Sequence, residues 1–587
     1  MEYYYTTERN AQILISLLKQ YGIKRIVVSP GSTNANIVIS MQQDPFFELY
    51  SAADERSAAY ISCGIAEETG EPVVISCTGA TASRNYIPGL TEAYYRKLPI
   101  IAVTSTHTLN KVGHLVPQTL DRSVIPNDIA IKSVHLNNVS TFEDEYLTTI
   151  KVNNALNSLF LNGGGPVHIN IETSYSYDFS AKNLPKAKLI KKYIEHNNLP
   201  TLPKGRISIF IGSHKRFTEE QTRLIDQFCA ENDAVAFCDH TSGYSGAYQF
   251  QCALVGCQAG YDKAIFKTDL TIHIGEVSGN YPGFSSLRKA KQVWRVSEDG
   301  EMRDFANNLT AVFAMPESNF FKYYIRETNE KKDSYFKDCQ NLYNSLLSSL
   351  EKKDLPFSNG WIAMQLSDAL PHGSSLYLGI LNSLRNWNFF KLHKSIFSSS
   401  NVGGFGIDGG LSTLVGASIT NPNKLYFGVF GDLAFFYDIN VLANRHVGHN
   451  VRILLINNGK GAEFRMYSHK ASIIGSDADD YVAASGHYGN KSPHLVHHFA
   501  EDCGYKYIHA ETKEEFLSNY KQFVDPVITQ SIIFEVFTSS EDESESLKII
   551  DHLMFSESQV YRKDFAKNVI VDLLGKNNVF RVKNLLK

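Results

Sequence analysis

The chain has 587 residues, 43% of them hydrophobic, with a formal net charge of −4. That length holds about three ordinary domains, each with its own core, and so small a net charge excludes a general attraction to nucleic acid or to a membrane surface. The eight cysteines (Cys63, Cys77, Cys229, Cys238, Cys252, Cys257, Cys339, Cys503) lack metal-ligand spacing and fall partly in apolar runs, which favours buried free thiols in a reducing compartment over a disulfide framework. Residues 1–10 are polar and tyrosine-rich. With no signal-like segment there and no run of transmembrane length, a cytoplasmic location is expected.

Residues 1 to about 180 alternate between helical and strand patterns. Helices are expected over 8–21, 35–41, 55–68 and 82–96, and strands over 25–28, 47–50, 73–77, 99–104 and 167–171. This alternation builds a doubly wound parallel sheet. Two of the strands run into tight turns of the kind that meet phosphates, Ser29-Pro30-Gly31-Ser32-Thr33 and Thr78-Gly79-Ala80-Thr81. From about 180 to 205 the composition shifts to lysine, proline and asparagine, which reads as a surface linker. A second α/β block follows, with strands over 207–211, 234–237, 270–274 and 292–296 and one motif-like turn, Gly275-Glu276-Val277-Ser278-Gly279. A polar helix-rich passage over 327–353 leads to a third block, about 355–540. The last residues begin acidic and end basic. Their apolar positions, Val569, Val571, Leu573, Leu574, Val579, Val582, Leu585 and Leu586, read as helix faces that pack on the body or on a partner.

Within the third block, residues 425–430 and 451–456 are apolar strand-like runs on either side of a helical pattern over 438–446, a βαβ unit with parallel strands. Parallel strands end on one edge of a sheet, so Asp432 and Asn458, 26 positions apart, should emerge together in the crevice there. A carboxylate, an amide oxygen and a backbone carbonyl suit Mg²⁺ that also takes diphosphate oxygens. Taken alone, the stretch also reads as an Asp helix cap and an Asn-Gly turn.

Three such blocks, with Gly431-Asp432 and Asn458 in the last, resemble the thiamin-diphosphate-dependent enzymes of the 2-oxo-acid decarboxylase group. Asp54-Glu55-Arg56-Ser57-Ala58-Ala59-Tyr60, the run Cys77 to Pro88, Glu92-Ala93-Tyr94-Tyr95, Gly406-Ile407-Asp408-Gly409-Gly410-Leu411-Ser412-Thr413, Gly431-Asp432-Leu433-Ala434 and Tyr437-Asp438-Ile439-Asn440 are similar to the menaquinone-pathway synthases that join 2-oxoglutarate to isochorismate. The resemblance covers nearly the whole chain except the tail. It implies three doubly wound α/β parallel-sheet domains: pyrimidine-binding (1–182), central (183–352) and diphosphate-binding (353–540), followed by a C-terminal extension (541–587). The implied cofactors are thiamin diphosphate and Mg²⁺. The implied chemistry is decarboxylation of a 2-oxo acid and transfer of the acyl carbanion to an aldehyde or ketone; plain decarboxylation is the simpler alternative. A homodimer or homotetramer follows, with active sites between subunits.

Residue by residue, Glu55 matches the glutamate that shares a proton with the pyrimidine ring and should sit in a dry pocket that raises its pKa. Asp432, Asn458 and the Lys460 carbonyl match the metal ligands, although the chain between Asp432 and Asn458 is one residue shorter than the family pattern. Ile407 matches the apolar prop under the bent cofactor. Gly431, Leu433, Ala434 and Ser383 match the diphosphate surroundings, Gln118 matches a glutamine near the substrate, and Ser32 belongs to the pocket. Glu463 and Phe464 follow the metal ligands in the chain and should line the pocket.

The chain departs from the menaquinone-pathway synthases at four arginines, standing instead as Thr33, His107, Trp387 and Val402. Arginine grips carboxylates bidentately, and each lost pair is worth roughly 1.5–3 kcal/mol. His107, His114, Trp387 and Gln118 therefore suit a smaller or less anionic donor such as pyruvate, or a neutral polyol-like acceptor stacking on Trp387. His107 and His114 are candidate proton donors. The remaining alternatives are the synthase itself with a remodelled pocket and a non-catalytic cofactor-binding homologue, which the retained Glu55 disfavours.

Overall fold

The computed structural model describes residues 4–122, 124–194, 198–326, 332–487, 492 and 494–555. The chain forms two compact units, Met1–Leu199 with Ser297–Met315, and Pro200–Val296 with Pro316–Lys587. The first unit holds β1 (Arg25–Val28), β2 (Glu48–Ser51), β3 (Val73–Thr78), β4 (Ile100–Thr106), β5 (Lys132–Leu136) and β6 (Val167–Glu172), with β7 (Lys191–Ile194) beyond them. The six strands pair in the order β2-β1-β3-β4-β6-β5, all parallel. Successive residues point to opposite faces and both faces are covered. Ile26, Val74, Ile101 and Ile169 pack with Leu14 and Leu17, whereas Val27, Ile75, Cys77 and Ala102 pack with Ala59 and Leu90. That is why these strands read as unbroken apolar runs rather than as an alternation.

Three departures from expectation lie in this unit. The helix expected over 82–96 is two, Ala80–Asn85 and Ile87–Arg96, meeting at Tyr86. Pro88 falls in the first turn of the second, where its missing N–H is harmless; inside one continuous helix it would break a hydrogen bond. The segment read as a linker carries β7, whose partner is the parallel strand β13 described below, and Ile190 just before it is fully buried. The lysines that suggested a linker lie on this strand, Lys191 exposed and Lys192 partly so, so composition masked the pairing. The weakly patterned strand β5 is likewise absent from the sequence reading, only Leu136 being buried along it.

The second unit contains two sheets. One comprises β8 (Ile207–Ile211), β9 (Val235–Cys238), β10 (Gln249–Gln251), β11 (Leu270–Ile274) and β12 (Val293–Val296), in the order β10-β9-β8-β11-β12. After it the chain returns to the first unit as β13 (Leu309–Ala314), parallel to β7. The other sheet comprises β14 (Ser375–Leu378), β15 (Phe397–Ser400), β16 (Tyr426–Gly431), β17 (Val451–Asn457), β18 (Lys506–Ala510) and β19 (Ile532–Phe537), in the order β15-β14-β16-β17-β19-β18. All its pairs are parallel. The expected C-terminal extension opens as the helix Ser540–Asp551, with Leu547 and Ile550 buried; the apolar positions from Val569 to Leu586 lie outside the described residues. Among the described residues no helix is long and apolar enough to cross a membrane.

The first and last sheets share one strand permutation, so each reverses direction between its first and third strands. At such a switch point the turns after the two strands open a crevice. The Ser29–Thr33 and Thr78–Thr81 turns lie at the first, between β1 and β3. The Gly379–Ser383 and Gly431–Ala434 turns lie at the other, between β14 and β16.

The helix Glu55–Thr69 reaches the first crevice and is set by its contact with Ile87–Arg96, where a Cβ on Gly89 would stand 2.5 Å from Cβ of Ala59. Gly89→Ala gains about 1 kcal/mol of helix propensity, but overpacking costs about 1–3 kcal/mol. A lower Tm is the expected net result, read by thermal unfolding; an unchanged Tm would mean that the two helices have room to part.

Candidate active site

β16 and β17 pair in register with Gly431 opposite Ile456, so Asp432 and the Asn457-Asn458 pair leave the sheet side by side. Asp432 opens the helix Asp432–Tyr437, and residues Ile439–Ala443 form only a 3₁₀ turn, in place of the helix expected over 438–446. Asp438 is diverted from capping that helix, because its carboxylate accepts from the N–H and hydroxyl of Ser412, each at 2.6 Å. Asp432 is 5% exposed. Its carboxylate accepts from the N–H of Leu433 at 2.8 Å and from the backbone N–H groups of Gly459 and Lys460. Burial outweighs these donors and pushes the carboxyl from its usual value of 3.8 up to about 6.

The two adjacent asparagines divide their work. Asn457 donates to the buried Glu535 at 2.7 Å, whereas Asn458 Oδ1 is buried without a hydrogen-bond partner. Lys460 sends its ammonium to Asp479 at 2.8 Å, and Arg465 reaches the same carboxylate at 2.7 Å, so neither cation turns toward Asp432. Among the described residues no group of three or more His, Cys, Asp or Glu side chains could hold a metal. A cation here would therefore rest on one carboxylate, one amide oxygen and a main-chain carbonyl, hard oxygen donors that suit Mg²⁺ sharing phosphate oxygens. The orphaned Asn458 Oδ1 beside a buried carboxylate fits that role.

On the other side of the crevice, Ile407 and Ala434 line one small cavity with Phe430, Gly410 and Asn401. Ser383 is buried and accepts from Asn359 Nδ2 at 3.4 Å. Trp387 is fully buried, and its carbonyl oxygen lies 2.8 Å from His240 Nε2. It offers no face for the acceptor expected to stack there. Val402 is buried too, at the place where Gly279 and Leu384 meet, so neither position lines an open pocket. Glu463 takes a bidentate pair from Arg385, both bonds 2.9 Å, and Arg385 also donates to Asn382. Phe464 is half-buried and stands edge-on to His469.

In the first unit Asp54 caps its helix by accepting from the Arg56 N–H at 3.0 Å, which leaves Glu55 unspent on capping. Glu55 is only half-buried, and Asn85 Nδ2 donates to it at 3.4 Å. Ser32 is exposed. Thr33, expected in the pocket, is buried instead: its hydroxyl bonds Thr78 and the Ser105 carbonyl and accepts from the Gly79 N–H, tying together the ends of β3 and β4. His107 lies against Tyr175, whose hydroxyl is 3.3 Å from Nε2, and burial lowers its pKa. His114 and Gln118 stand on the exposed loop after β4, Gln118 in the left-handed region.

Several contacts had no local signal. The Arg385–Glu463 pair spans 78 positions, and Asp479 is a shared anchor for Lys460 and Arg465. The middle sheet's switch point is closed, because a Cβ on Gly212 would fall 2.0 Å from the Glu276 carbonyl oxygen, and the buried Arg295 bonds Gly275 O at 2.9 Å and Glu276 at 3.1 Å. The turn Gly275–Gly279 thus fills its own crevice.

Residues 9–125 match the family described as thiamine pyrophosphate enzyme, N-terminal TPP binding domain. The chain is similar to proteins named 2-succinyl-5-enolpyruvyl-6-hydroxy-3-cyclohexene-1-carboxylate synthase. It is 28% identical to that of Bacteroides fragilis over 568 residues, and 29% identical to that of Bacteroides thetaiotaomicron over 567. Each match covers 93% of this chain and 99% of that protein. With the Flavobacterium johnsoniae protein it shares 28% over 476 residues, 78% of this chain and 84% of that protein.

A carboxyl whose pKa is raised on folding stabilises the folded state below its unfolded pKa of 3.8, and that contribution is lost as pH rises through about 6. In metal-free protein Asp432 should therefore cost up to about 3 kcal/mol at neutral pH. Asp432→Asn should flatten the fall in Tm between those values; an unchanged pH profile would show that the carboxylate is solvated.

Proposed function

Starting from a chain that belongs to the thiamin-diphosphate-dependent enzymes and uses thiamin diphosphate as its cofactor, we propose that it decarboxylates a 2-oxo acid and passes the acyl unit to an aldehyde or ketone. The observation that carries this reading is the buried Asp432 beside the orphaned Asn458 Oδ1, in a chain that also keeps Glu55 out of capping at the head of its helix. Asp432, Asn458 and the Lys460 carbonyl would hold Mg²⁺ and through it the diphosphate, with Gly431, Leu433, Ala434 and Ser383 around them and Ile407 under the rings. Bound thiamin diphosphate supplies the stabilisation of the charge left when CO₂ departs. Glu55 would exchange a proton with the pyrimidine ring of the bound cofactor, and Asn85 orients its carboxyl. Gln118 and His107 are assigned to the substrate side.

On this reading residues 1–182 bind the pyrimidine, 353–540 the diphosphate, and the central domain 183–352 no ligand at its switch point, with 541–587 a C-terminal extension. The cofactor lies between the first domain of one subunit and the third of another, so the enzyme is a homodimer or homotetramer. Exposed Tyr60, Ile61 and Tyr95 on the helices around Glu55 support a covered surface there. The free cysteines support a cytoplasmic location.

The acid is small or singly charged, because Arg385 is already paired with Glu463 and arginine is missing at four places where the synthases carry it. A second reading, synthesis of 2-succinyl-5-enolpyruvyl-6-hydroxy-3-cyclohexene-1-carboxylate from 2-oxoglutarate and isochorismate, is favoured by the names of relatives that span 93% of the chain.

Glu55→Gln should lower CO₂ release by about 10²–10⁴-fold while thiamin diphosphate with Mg²⁺ still raises Tm; unchanged turnover would remove Glu55 from the proton path. A panel of 2-oxo acids, with and without carbonyl acceptors and read by mass spectrometry, separates the two substrate readings. Pyruvate should be ligated faster than 2-oxoglutarate, and efficient condensation of 2-oxoglutarate with isochorismate would establish the synthase instead.

A further inference from the structure

Arg122 lies on the segment between β4 and β5 and is 6% exposed. Guanidinium carries five N–H donors and does not lose its charge in proteins. Here Nη1 donates to Ser83 Oγ at 2.9 Å, while Nε and Nη2 are buried without a partner. The groups acting on its charge are its own burial, the Cys77 thiol and Arg84, a second cation; no carboxylate is among them. Buried charges are ordinarily paired, and this one is not paired by the described chain.

The side chain faces a cavity of about 20 Å³, whose apolar wall is Tyr86, Ile87, Leu90, Ile125 and Ile129. Its polar wall is Arg122, Arg84, Ser83, Thr104 and His168. His168 cannot serve as a counter-charge. Its Nε2 meets Thr104 Oγ1 at 2.8 Å and its Nδ1 meets Ser133 Oγ at 2.9 Å, and burial keeps the ring uncharged. Arg84 gives one N–H to the Asp121 carbonyl at 3.2 Å. The cavity is thus cationic on one side, apolar on the other, and sized for a single small ion, a water needing about 10–15 Å³ of the same measure.

We propose that Arg122, with Ser83 and Arg84, forms a binding site for one small monovalent anion, a halide ion or the carboxylate group of a short organic acid. The site adjoins the Thr78–Thr81 turn, since a side chain on Gly79 would come within 3.0 Å of Arg122 Nη2. Ser83 belongs to the same short helix as Asn85, the residue that donates to Glu55. The anion therefore braces the helix that orients Glu55, without touching the cofactor's own ligands.

The test uses the purified full-length protein with no cofactor added, so its outcome is independent of the reaction proposed above. Tm is followed in potassium chloride and in potassium formate, each balanced with potassium gluconate to constant ionic strength. A saturable rise with chloride or formate is expected, because gluconate is too large for the cavity. In Arg122→Gln, which can keep a hydrogen bond to Ser83, the rise should be absent. Response to chloride alone identifies a halide site, and response to formate as well identifies a carboxylate site; either supports the proposal. Equal Tm in all three salts, or a saturable rise retained in Arg122→Gln, overturns it. Should Arg122→Gln fail to fold, a bromide-soaked crystal of the wild-type protein decides: an anomalous peak within hydrogen-bond reach of Nη2 supports the site, and no peak there overturns it.

Discussion

A carboxylate withdrawn from water at the end of a parallel strand must be compensated, and around Asp432 the described residues supply backbone N–H groups but no cationic side chain. Lys460 and Arg465, the nearest cations along the following loop, are both turned onto Asp479. What remains is a concentration of oxygen acceptors, the Asp432 carboxylate and the free Asn458 Oδ1. Such a group costs folding energy by itself, and a divalent cation binding there would offset the cost. The site is therefore built at the expense of the free protein's stability, as sites arranged for a charged ligand commonly are.

The rest of the scaffold brings such turns to one edge. Two sheets with the same strand permutation each open a crevice between their first and third strands, and each crevice presents a glycine-containing turn. The middle sheet has the same opportunity and closes it with its own backbone, Gly212 against Glu276, secured by Arg295. A parallel sheet offers a ligand site at its switch point; whether it becomes one depends on what the turns leave open.

On the proposed reading, substrate selection would follow from which charges are already satisfied. Arg385, on the helix Asn382–Trp387 that follows β14, could have gripped a carboxylate, and Glu463 occupies both of its terminal nitrogens. Thr33 spends its hydroxyl on neighbouring strand ends, and Trp387 lies wholly inside. None of the three is available to a second carboxylate, whereas Arg122, which meets no carboxylate among the described residues, faces a cavity too small for a whole substrate.

Much of the fold was legible in the sequence because strands buried on both faces are short, unbroken apolar runs. β1, β8 and β11 lie where their patterns place them, and the other expected strands of the three sheets lie within one or two residues of theirs. The Asp432-to-Asn458 spacing was legible too, since two parallel neighbours must end together. Glu55 was marked by its motif, with Asp54 available to cap the helix in its place. Other features were decided by tertiary structure. Lysine-bearing β7 needed β13, more than a hundred positions later, to become a strand. Asn457 and Asn458 are identical in type, and only the buried Glu535 on a neighbouring strand commits the first and leaves the second free. The burial of Trp387, the Arg385–Glu463 pair and the two unbonded nitrogens of Arg122 depend on which distant groups meet. Local pattern determines the elements and the order of their turns, because backbone geometry repeats along the chain; which side chains stay free for chemistry depends on partners that only packing brings together.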